Sequence, residues 1–538
     1  MAIRVIELTT AQHWTDFELF LNKEQINQNI TATIIRHLRQ LNARAALLDD
    51  DYIDRDFSEA YSAYYAKTFK RHSKVCQRLL FFSCDLDFLK SSSIVDAAKR
   101  LESESATSYL GHVVVRPISK APVSQAILKP PPAPAAFERH LLVRARYTAH
   151  VLGAELSVDA VPMTQQDSRI GACAQASIWV SARHIHARHR GPWMSTVDIT
   201  EAALSRTDHE INTTLPAGSE FLTANNTVAA LRAAGRETLI YASRAGANGA
   251  LDWGALRPTD IINRYVDSGI PVSVWVRFPS SAIGHAVVAT GQVLSKTAAQ
   301  LPSRPTRAEF VSAFLVNDDQ LGPNARMPVV ANNLIAETSY NIKDNAVALI
   351  IPLPSKVYLP AETAETFAWD MIDRYAKDWN AHKAANTGKL GNSETLGDTL
   401  VAAHTKNELI ARTYLTYGWK HKNRSIRNQL TDGIKKVIRD LDVPRYVYVT
   451  EFATLQQLNG LELPKRRIIA HAVVDATAKH QDLDAVLLFH APGMCIWHAH
   501  GAKGSFVRYL IASKDDTDYF PKVRGDVDFA EFYSSQKP

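Results

Sequence analysis

Cysteine is scarce: Cys76, Cys84, Cys173 and Cys495 are the only four in 538 residues. That is too few for the disulfide frameworks that hold small secreted domains together. No run of residues approaches the ~18 uninterrupted apolar positions of a membrane helix. The opening MAIRVIELTTAQHWTDFELF has neither the charged start nor the continuous apolar core of a signal peptide. Charge of one sign is also in short supply. Lys and Arg number 61 against 55 Asp and Glu, a formal net charge of +6, too weak by itself to point to nucleic acid. No internal repeat is visible, and low complexity is confined to one proline-rich stretch. These absences lead us to expect a cytoplasmic protein with reduced thiols and with neither a membrane nor nucleic acid as partner.

What is present is core-forming sequence. Hydrophobic residues make up 46% and charged residues 22% of the chain, the balance of a folded globular protein. At about 150 residues per domain, the length suggests roughly three or four units. Residues 1–128 alternate strand-like and helix-like segments. RVIEL (4–8), RLLFFSC (78–84) and GHVVVRP (111–117) read as strands. In EAYSAYYAKTFKRH (59–72), Tyr61, Tyr65 and Phe69 fall on one face of an expected helix. KPPPAPAAF (129–137) has four prolines in nine residues and reads as a stiff linker over 129–138.

Residues 139–360 form the most readable block. Helices are expected over about 172–187, in NNTVAALRAAGR (225–236), stopped by Gly235, and in PTDIINRYVDSG (258–269), stopped by Gly269. Strands are expected in ETLIYAS (237–243), PVSVWVRF (271–278), HAVVATGQVL (285–294) and EFVSAFLVNDD (309–319), with AVALIIPLPSKVYLP (346–360) closing the same sheet. Helices first and sheet afterwards is an α+β arrangement with hairpin-type connections. A third unit, 361–538, opens with the long helix AETAETFAWDMIDRYAKDWNAHKAA and continues with further strands.

Three features of the central block carry chemistry. Cys173 stands at the start of an expected helix, where unpaired N–H groups and the helix dipole favour a thiolate. On position alone it could equally be a small buried packing residue. His285 follows Gly284 at the head of an alternating strand, where it can serve as a general base. Asn317, Asp318 and Asp319 end the next strand, where a carboxylate or amide can orient an imidazole. Each element alone is as well explained by ordinary structure; their order makes the set informative.

That ordered set resembles the papain-like cysteine peptidases, most closely the bacterial C39-like peptidases. The residues that carry the resemblance are Gln166, Cys173, GIPVSVWV (269–276), GHAVVATG (284–291) and VNDD (316–319), and it covers roughly residues 160–360. It implies a papain-like core, a central helix packed on an antiparallel sheet, flanked by additional α/β domains. It also implies Cys173 as nucleophile, His285 as general base and acid, Asp318 as orienter and Gln166 as an oxyanion-hole donor, with no metal or organic cofactor. Such a donor lowers the barrier by roughly 3–4 kcal/mol. Gln166 stands seven positions before the cysteine and Gln165 eight, both further than is usual in the family, so either can be the donor. Asp319 occupies a position where the family tends to have proline, and Asn317 is the alternative orienter. The stretch SKTAAQLPSRPTRAEF (295–310) reads as an insertion between the histidine and aspartate strands.

The reaction so implied is cleavage of an amide bond in a peptide or protein substrate. A transglutaminase, deamidase or acyltransferase would use the same residues with another acceptor, and a non-catalytic binding protein could retain the same fold. The flanking units match no family and offer surfaces for protein partners, as in a regulated bacterial effector or defence module. Three other clusters have a structural reading beside a functional one, a metal or anion site for the first, a metal site for the second, and contact with an acidic partner or nucleic acid for the third. RHIHARHR (183–190) suits a solvated helix end, CIWHAHG (495–501) a strand and turn, and YGWKHKNRSIRNQ (417–429) a charged surface loop. Cys76 and Cys84 are expected in the core.

Overall fold

The computed structural model of the chain describes residues 3–21, 28–135, 137–141, 143–167, 173–205, 222–246, 250–278, 284–298, 300–427, 432–459, 468–479, 483–498 and 506–510. Its first unit is an antiparallel sheet of β1 (Ile3–Glu7), β2 (Ala45–Tyr52), β3 (Cys76–Phe82), β4 (Tyr109–Val115) and β5 (Val123–Leu128), neighbours in sequence lying side by side. Helices α1 (Ala11–Leu21), α2 (Gln28–Gln40), α3 (Arg55–Ala63), α4 (Phe88–Ser91) and α5 (Ile94–Ser105) connect these strands. The expected helix over 59–72 ends early. α3 stops at Ala63, a single 3₁₀ turn covers Tyr65–Lys67, and Phe69 is fully exposed, so the three aromatics do not share a helical face. Tyr65 instead packs beneath Phe57 and His72 and donates its hydroxyl to Asp167.

The proline-rich stretch has no regular structure over 129–135, yet Pro130 and Pro131 are buried, and it runs into β6 (Phe137–His140). The hairpin of β7 (Ala145–Val151) and β8 (Ala154–Ala160) turns back onto the first unit. Its Val151, Leu156 and Val158 join Leu47, Leu80 and Phe82 in one apolar cluster.

The central unit then opens with α6 (Cys173–His189), α7 (Thr196–Leu204) and α8 (Ala224–Ala233). Next come β9 (Glu237–Ala242), the short pair β10 (Arg244–Ala245) and β11 (Leu251–Asp252), and α9 (Pro258–Asp267). Strands β12 (Val272–Val276), β13 (His285–Ser295), β14 (Val311–Asp318) and β15 (Gly322–Pro328) follow, then α10 (Ile342–Asn345) and β16 (Ala346–Leu353). The sheet order is β15-β14-β13-β12-β16-β9, with β6 also paired to β13, and every pairing is antiparallel. α6 crosses β13 and β14 and is flanked by α7 and α8. Every residue from Ala174 to Ile185 is buried, so α6 has no solvent face rather than the single apolar stripe its sequence suggests.

The last unit comprises α11 (Ala361–Ala385), α12 (Asn392–Thr405), β17 (Leu409–Tyr417), α13 (Gly418–Arg427), α14 (Asp432–Asp440), β18 (Tyr446–Thr454) and α15 (Leu455–Asn459). Strands β19 (Ala470–Asp475), β20 (Val486–Ala491), β21 (Met494–His498) and β22 (Phe506–Leu510) complete a six-stranded antiparallel meander that starts at β17. The basic segment expected as a loop at 417–429 is mostly helix α13, with His421 and Ser425 buried. The fold is therefore a mixture of helices and antiparallel sheets throughout. Among the described residues no helix is long and apolar enough to cross a membrane.

The central and last units share one core. Val274, Ile350, Trp369, Ile410, Val449 and Val473 belong to a single cluster of buried apolar residues. A buried ionic network stitches the same junction. Asp267, at the end of α9, accepts from Arg412 Nε on β17 at 2.8 Å and from Gln292 Nε2 on β13 at 2.9 Å, with Arg307 Nη1 at 3.8 Å. Glu365 on α11 likewise accepts from Arg264 on α9 at 2.6 Å and from Thr413 at 2.8 Å. Removing one member of a buried ion pair strands the other charge in low dielectric. We expect Asp267→Ala to lower unfolding free energy by about 3–5 kcal/mol, measured by urea denaturation. A loss near that of a surface pair, about 0–1 kcal/mol, would contradict this account of the junction.

Candidate active site

Cys173 is the first residue of α6 and is half-buried. His285 opens β13 opposite Val276 of β12, and Asp318 closes β14 beside it. Because β13 and β14 run antiparallel, the start of one and the end of the other lie at the same edge of the sheet. Gly284 serves the approach to His285: a Cβ there would come within 3.2 Å of the Val276 carbonyl oxygen, tighter than ordinary packing.

His285 Nε2 and Asp318 Oδ1 are 3.0 Å apart. The carboxylate is itself held from several sides. Its Oδ1 also accepts the Gln320 N–H at 2.8 Å and the Leu321 N–H at 3.2 Å, while Oδ2 accepts a short hydrogen bond from the Tyr340 hydroxyl. Burial alone would raise the Asp318 pKa. The hydrogen bond and charge of His285, with the bonds from Tyr340 and Gln320, outweigh burial and hold the carboxyl below its ordinary value. Tyr340 also packs its ring edge-on to His285, with centroids 6.2 Å apart, and so holds both members of the pair. Nothing in the sequence marks Tyr340. It lies in an irregular segment, and only the tertiary fold brings it to the site.

With Nε2 committed to Asp318, Nδ1 is the nitrogen left for a second partner. The Cys173 thiol acts on the ring as a hydrogen-bonding neighbour, yet Nδ1 makes no hydrogen bond of normal geometry. A long or misaligned contact reconciles the two, and such contacts are common at catalytic sites without substrate. Burial disfavours charge on His285, but the hydrogen bonds to Asp318 and Cys173, and the charges of Asp318 and Asp319, outweigh it and raise the imidazole to about 11.

The two neighbours of Asp318 behave differently. Asn317 does not touch His285. Its Nδ2 donates to the Pro162 carbonyl at 2.8 Å and its Oδ1 accepts the Asn324 N–H at 3.0 Å, a structural brace. Asp319 Oδ1 is 3.7 Å from His285 Nε2, and neither of its buried oxygens has a hydrogen-bond partner. Burial, partly offset by His285 and reinforced by Asp318, raises its carboxyl to about 7. His285, Asp318 and Asp319 bring ligand atoms within 4.8 Å of one another, the spacing a metal ion would need. Asp318 already spends both oxygens on His285, Tyr340 and two backbone N–H groups, which makes this set a hydrogen-bond network first.

The segment before Cys173 is built by the N-terminal unit. Met163 pairs with Ala126 of β5 through backbone bonds of 2.8 and 2.9 Å, and Thr164 Oγ1 donates to the Ser124 carbonyl at 2.7 Å. The Gln165 side chain is buried, and its Oε1 accepts the Val123 N–H at 3.0 Å. Gln166 is half-buried and makes no hydrogen bond among the described residues. Neither glutamine bonds to Cys173 or His285, and residues 168–172, which complete the approach to the cysteine, lie outside the described residues.

The remaining clusters are structural. Cys76 and Cys495 are buried and burial pushes both thiols up to about 12, while Cys84 is partly buried. His490 lies opposite Cys495 and beside His471, rings 5.2 Å apart, in the sheet core; His500 falls outside the described residues. The end of α6, expected from RHIHARHR to be solvated, is so only in part: His186 and Arg190 are exposed. Arg183, His184 and Arg188 are buried, because the first and last units both close over it. No family model matches the chain, and a search of curated proteins finds none that matches.

A cationic imidazole with a raised pKa stabilises the fold fully below about pH 6.5 and loses that contribution as pH rises towards 11. In NMR titration of histidine-labelled protein, we expect His285 to remain protonated past pH 8 and Asp318→Asn to move its midpoint down towards 6.5. A wild-type midpoint near 6.5 would contradict the arrangement described above.

Proposed function

We propose that the central unit is a papain-like cysteine hydrolase that cleaves an amide bond of a peptide or protein. One observation carries the reading. A buried histidine spends Nε2 on Asp318 at 3.0 Å and leaves Nδ1 for a cysteine that begins a buried helix. A nucleophile, a base and a group that orients the base are the parts that thiol-based acyl transfer needs.

In this mechanism His285 Nδ1 already holds the proton given up by Cys173, and Sγ attacks the substrate carbonyl as the thiolate of that ion pair. The raised imidazole basicity favours holding that proton. Asp318 stabilises the imidazolium and fixes the ring, and Tyr340 and the backbone N–H groups fix Asp318. The tetrahedral oxyanion rests on the Cys173 N–H and a glutamine amide. Of the two candidates, Gln166 fits better, because Gln165 is tied into β5. His285 then protonates the leaving amine, and water attacks the thioester to release the acid and the free thiol. Transfer to an amine in place of water would make the same residues a transglutaminase or acyltransferase. The four cysteines are unbridged, which suits a reducing compartment such as the cytoplasm.

A thiol-directed acylating probe tests this reading at neutral pH. Cys173 should label faster than Cys84, the other cysteine that is not fully buried, and His285→Ala should slow that labelling by at least about a hundredfold. In a proteome digest, wild type should release new N-termini and Cys173→Ala should release none. Labelling of Cys173 no faster than Cys84, or unaffected by His285→Ala, would rule out the enzyme.

A further inference from the structure

At the end of α6 remote from Cys173, the central and last units border a small open cavity of about 40 Å³. Its walls come from the end of α6, Arg236 just before β9, the turn Ser268–Pro271, and Leu415, Thr416, Tyr417 and Tyr446 of the C-terminal sheet. Two arginines, two histidines and two tyrosines line it, and among the described residues no aspartate or glutamate does.

Arg236 is the anomaly. It is 8% exposed, its Nε is buried without a hydrogen-bond partner, and its side chain forms no ion pair or hydrogen bond among the described residues. Its charged neighbours worsen the situation, because Arg445 lies close enough to repel it. A buried guanidinium without a counter-ion is costly, and every other buried arginine of this junction has a carboxylate or a carbonyl. His184 is fully buried with Nδ1 unpartnered, and burial together with Arg188 and Arg236 holds it in the neutral form.

The ordinary explanation is that cations here complement the carbonyl ends of α6 and α9. It accounts for Arg188 and His184. Arg188 Nη1 donates to the Gly269 carbonyl at 3.1 Å, and His184 Nε2 meets the same oxygen at 3.2 Å. Gly269 has φ +71°, and a Cβ there would lie 2.2 Å from Arg188 Nη1, so the turn is shaped around that arginine. Arg236 makes no such bond. Its charge is surplus to the helix ends, and it lines the cavity.

We infer that this cavity binds a phosphate group, free or as part of a small ester, through the Arg236 guanidinium with Arg188 and His184 beside it. A guanidinium offers a planar fork of donors that matches phosphate oxygens, and burial strengthens the pairing. Tyr417 and Tyr446 also line the cavity and offer aromatic surfaces on which a planar organic group can lie.

The test uses the full chain and thermal unfolding with low-millimolar inorganic phosphate or adenosine 5′-monophosphate, against sodium chloride at matched ionic strength. We expect phosphate to raise Tm by about 2–5 °C beyond the chloride control. An equal response to the nucleotide identifies the free anion as ligand. A larger one identifies an ester whose ring rests on the tyrosines. Arg236→Met should leave the Tm of the unliganded protein unchanged or higher, because it removes an unpaired buried charge, and should weaken phosphate binding at least about tenfold by calorimetry. The inference fails if neither ligand stabilises the wild type beyond chloride, or if Arg236→Met still responds. It fails equally if Arg236→Met unfolds or loses stability without ligand, since Arg236 would then serve the fold alone.

Discussion

The structure depends on one constraint: α6 is buried on every side but is not an apolar helix. Its buried residues include Gln175, Ser177, Ser181, Arg183, His184 and Arg188 as well as several alanines and Trp179. A buried polar group without a partner costs more than a hydrogen bond returns, so each must be met from outside the helix. Those partners come from different parts of the chain. Ser177 meets Ser273 of β12 at 2.9 Å, and Trp179 Nε1 and Arg183 both bind Asp56 of α3, at 3.0 and 2.6 Å. Arg188 and His184 meet the turn after α9. The helix can be buried only if the first unit and the central sheet close on it together.

The same constraint explains the contrast between the two ends of α6. At the Cys173 end, the groups that position His285 are closely matched. Asp318 accepts four hydrogen bonds, Asn317 braces the chain on both sides, and Gln165 is absorbed by β5. Such saturation is what holds an imidazole in one orientation. Asp319, the adjacent residue, has neither oxygen bonded, and its carboxyl is raised while that of Asp318 is lowered. Two neighbouring carboxyls thus differ through hydrogen bonding and not through burial, since both are buried. At the His189 end, by contrast, the Arg236 Nε is buried without a hydrogen-bond partner.

How much of this was legible follows from which interactions are local. The strands of the central sheet and the ends of α8 and α9 were readable, because alternation and the positive-φ glycines Gly235 and Gly269 act within a few residues. The pairing of Cys173, His285 and Asp318 at one sheet edge was readable only as an order of motifs, through family resemblance. Tyr340 and Asp56 were not readable at all, since each acts across more than twenty residues of sequence with no motif around it. RHIHARHR was readable only in part: His186 and Arg190 are solvated as a basic helix end usually is, whereas the covering units bury Arg183, His184 and Arg188. β15, with Pro323 and Pro328 and little alternation, did not look like a strand. It forms as an edge strand beside β14, where proline costs the sheet no hydrogen bond on its outer side.

The division into three units is therefore a description of sequence more than of packing. The central and last units have one apolar core and one buried ionic network around Asp267, so neither surface at their junction could be exposed without stranding charge. The first unit is bound differently. It has its own core, but it lends β5 to the segment Met163–Gln165 and Tyr65 to Asp167, the residues that lead up to Cys173. It also supplies the only carboxylate that Arg183 binds among the described residues, about one turn beyond Trp179 and on the same helix face. The first unit thus fixes both the approach to the cysteine and the roll of its helix, while the last unit fixes the helix's far end. A cysteine and a histidine on separate elements meet only when those elements are held in register, and here the holding is done by the chain on either side of the block that carries them.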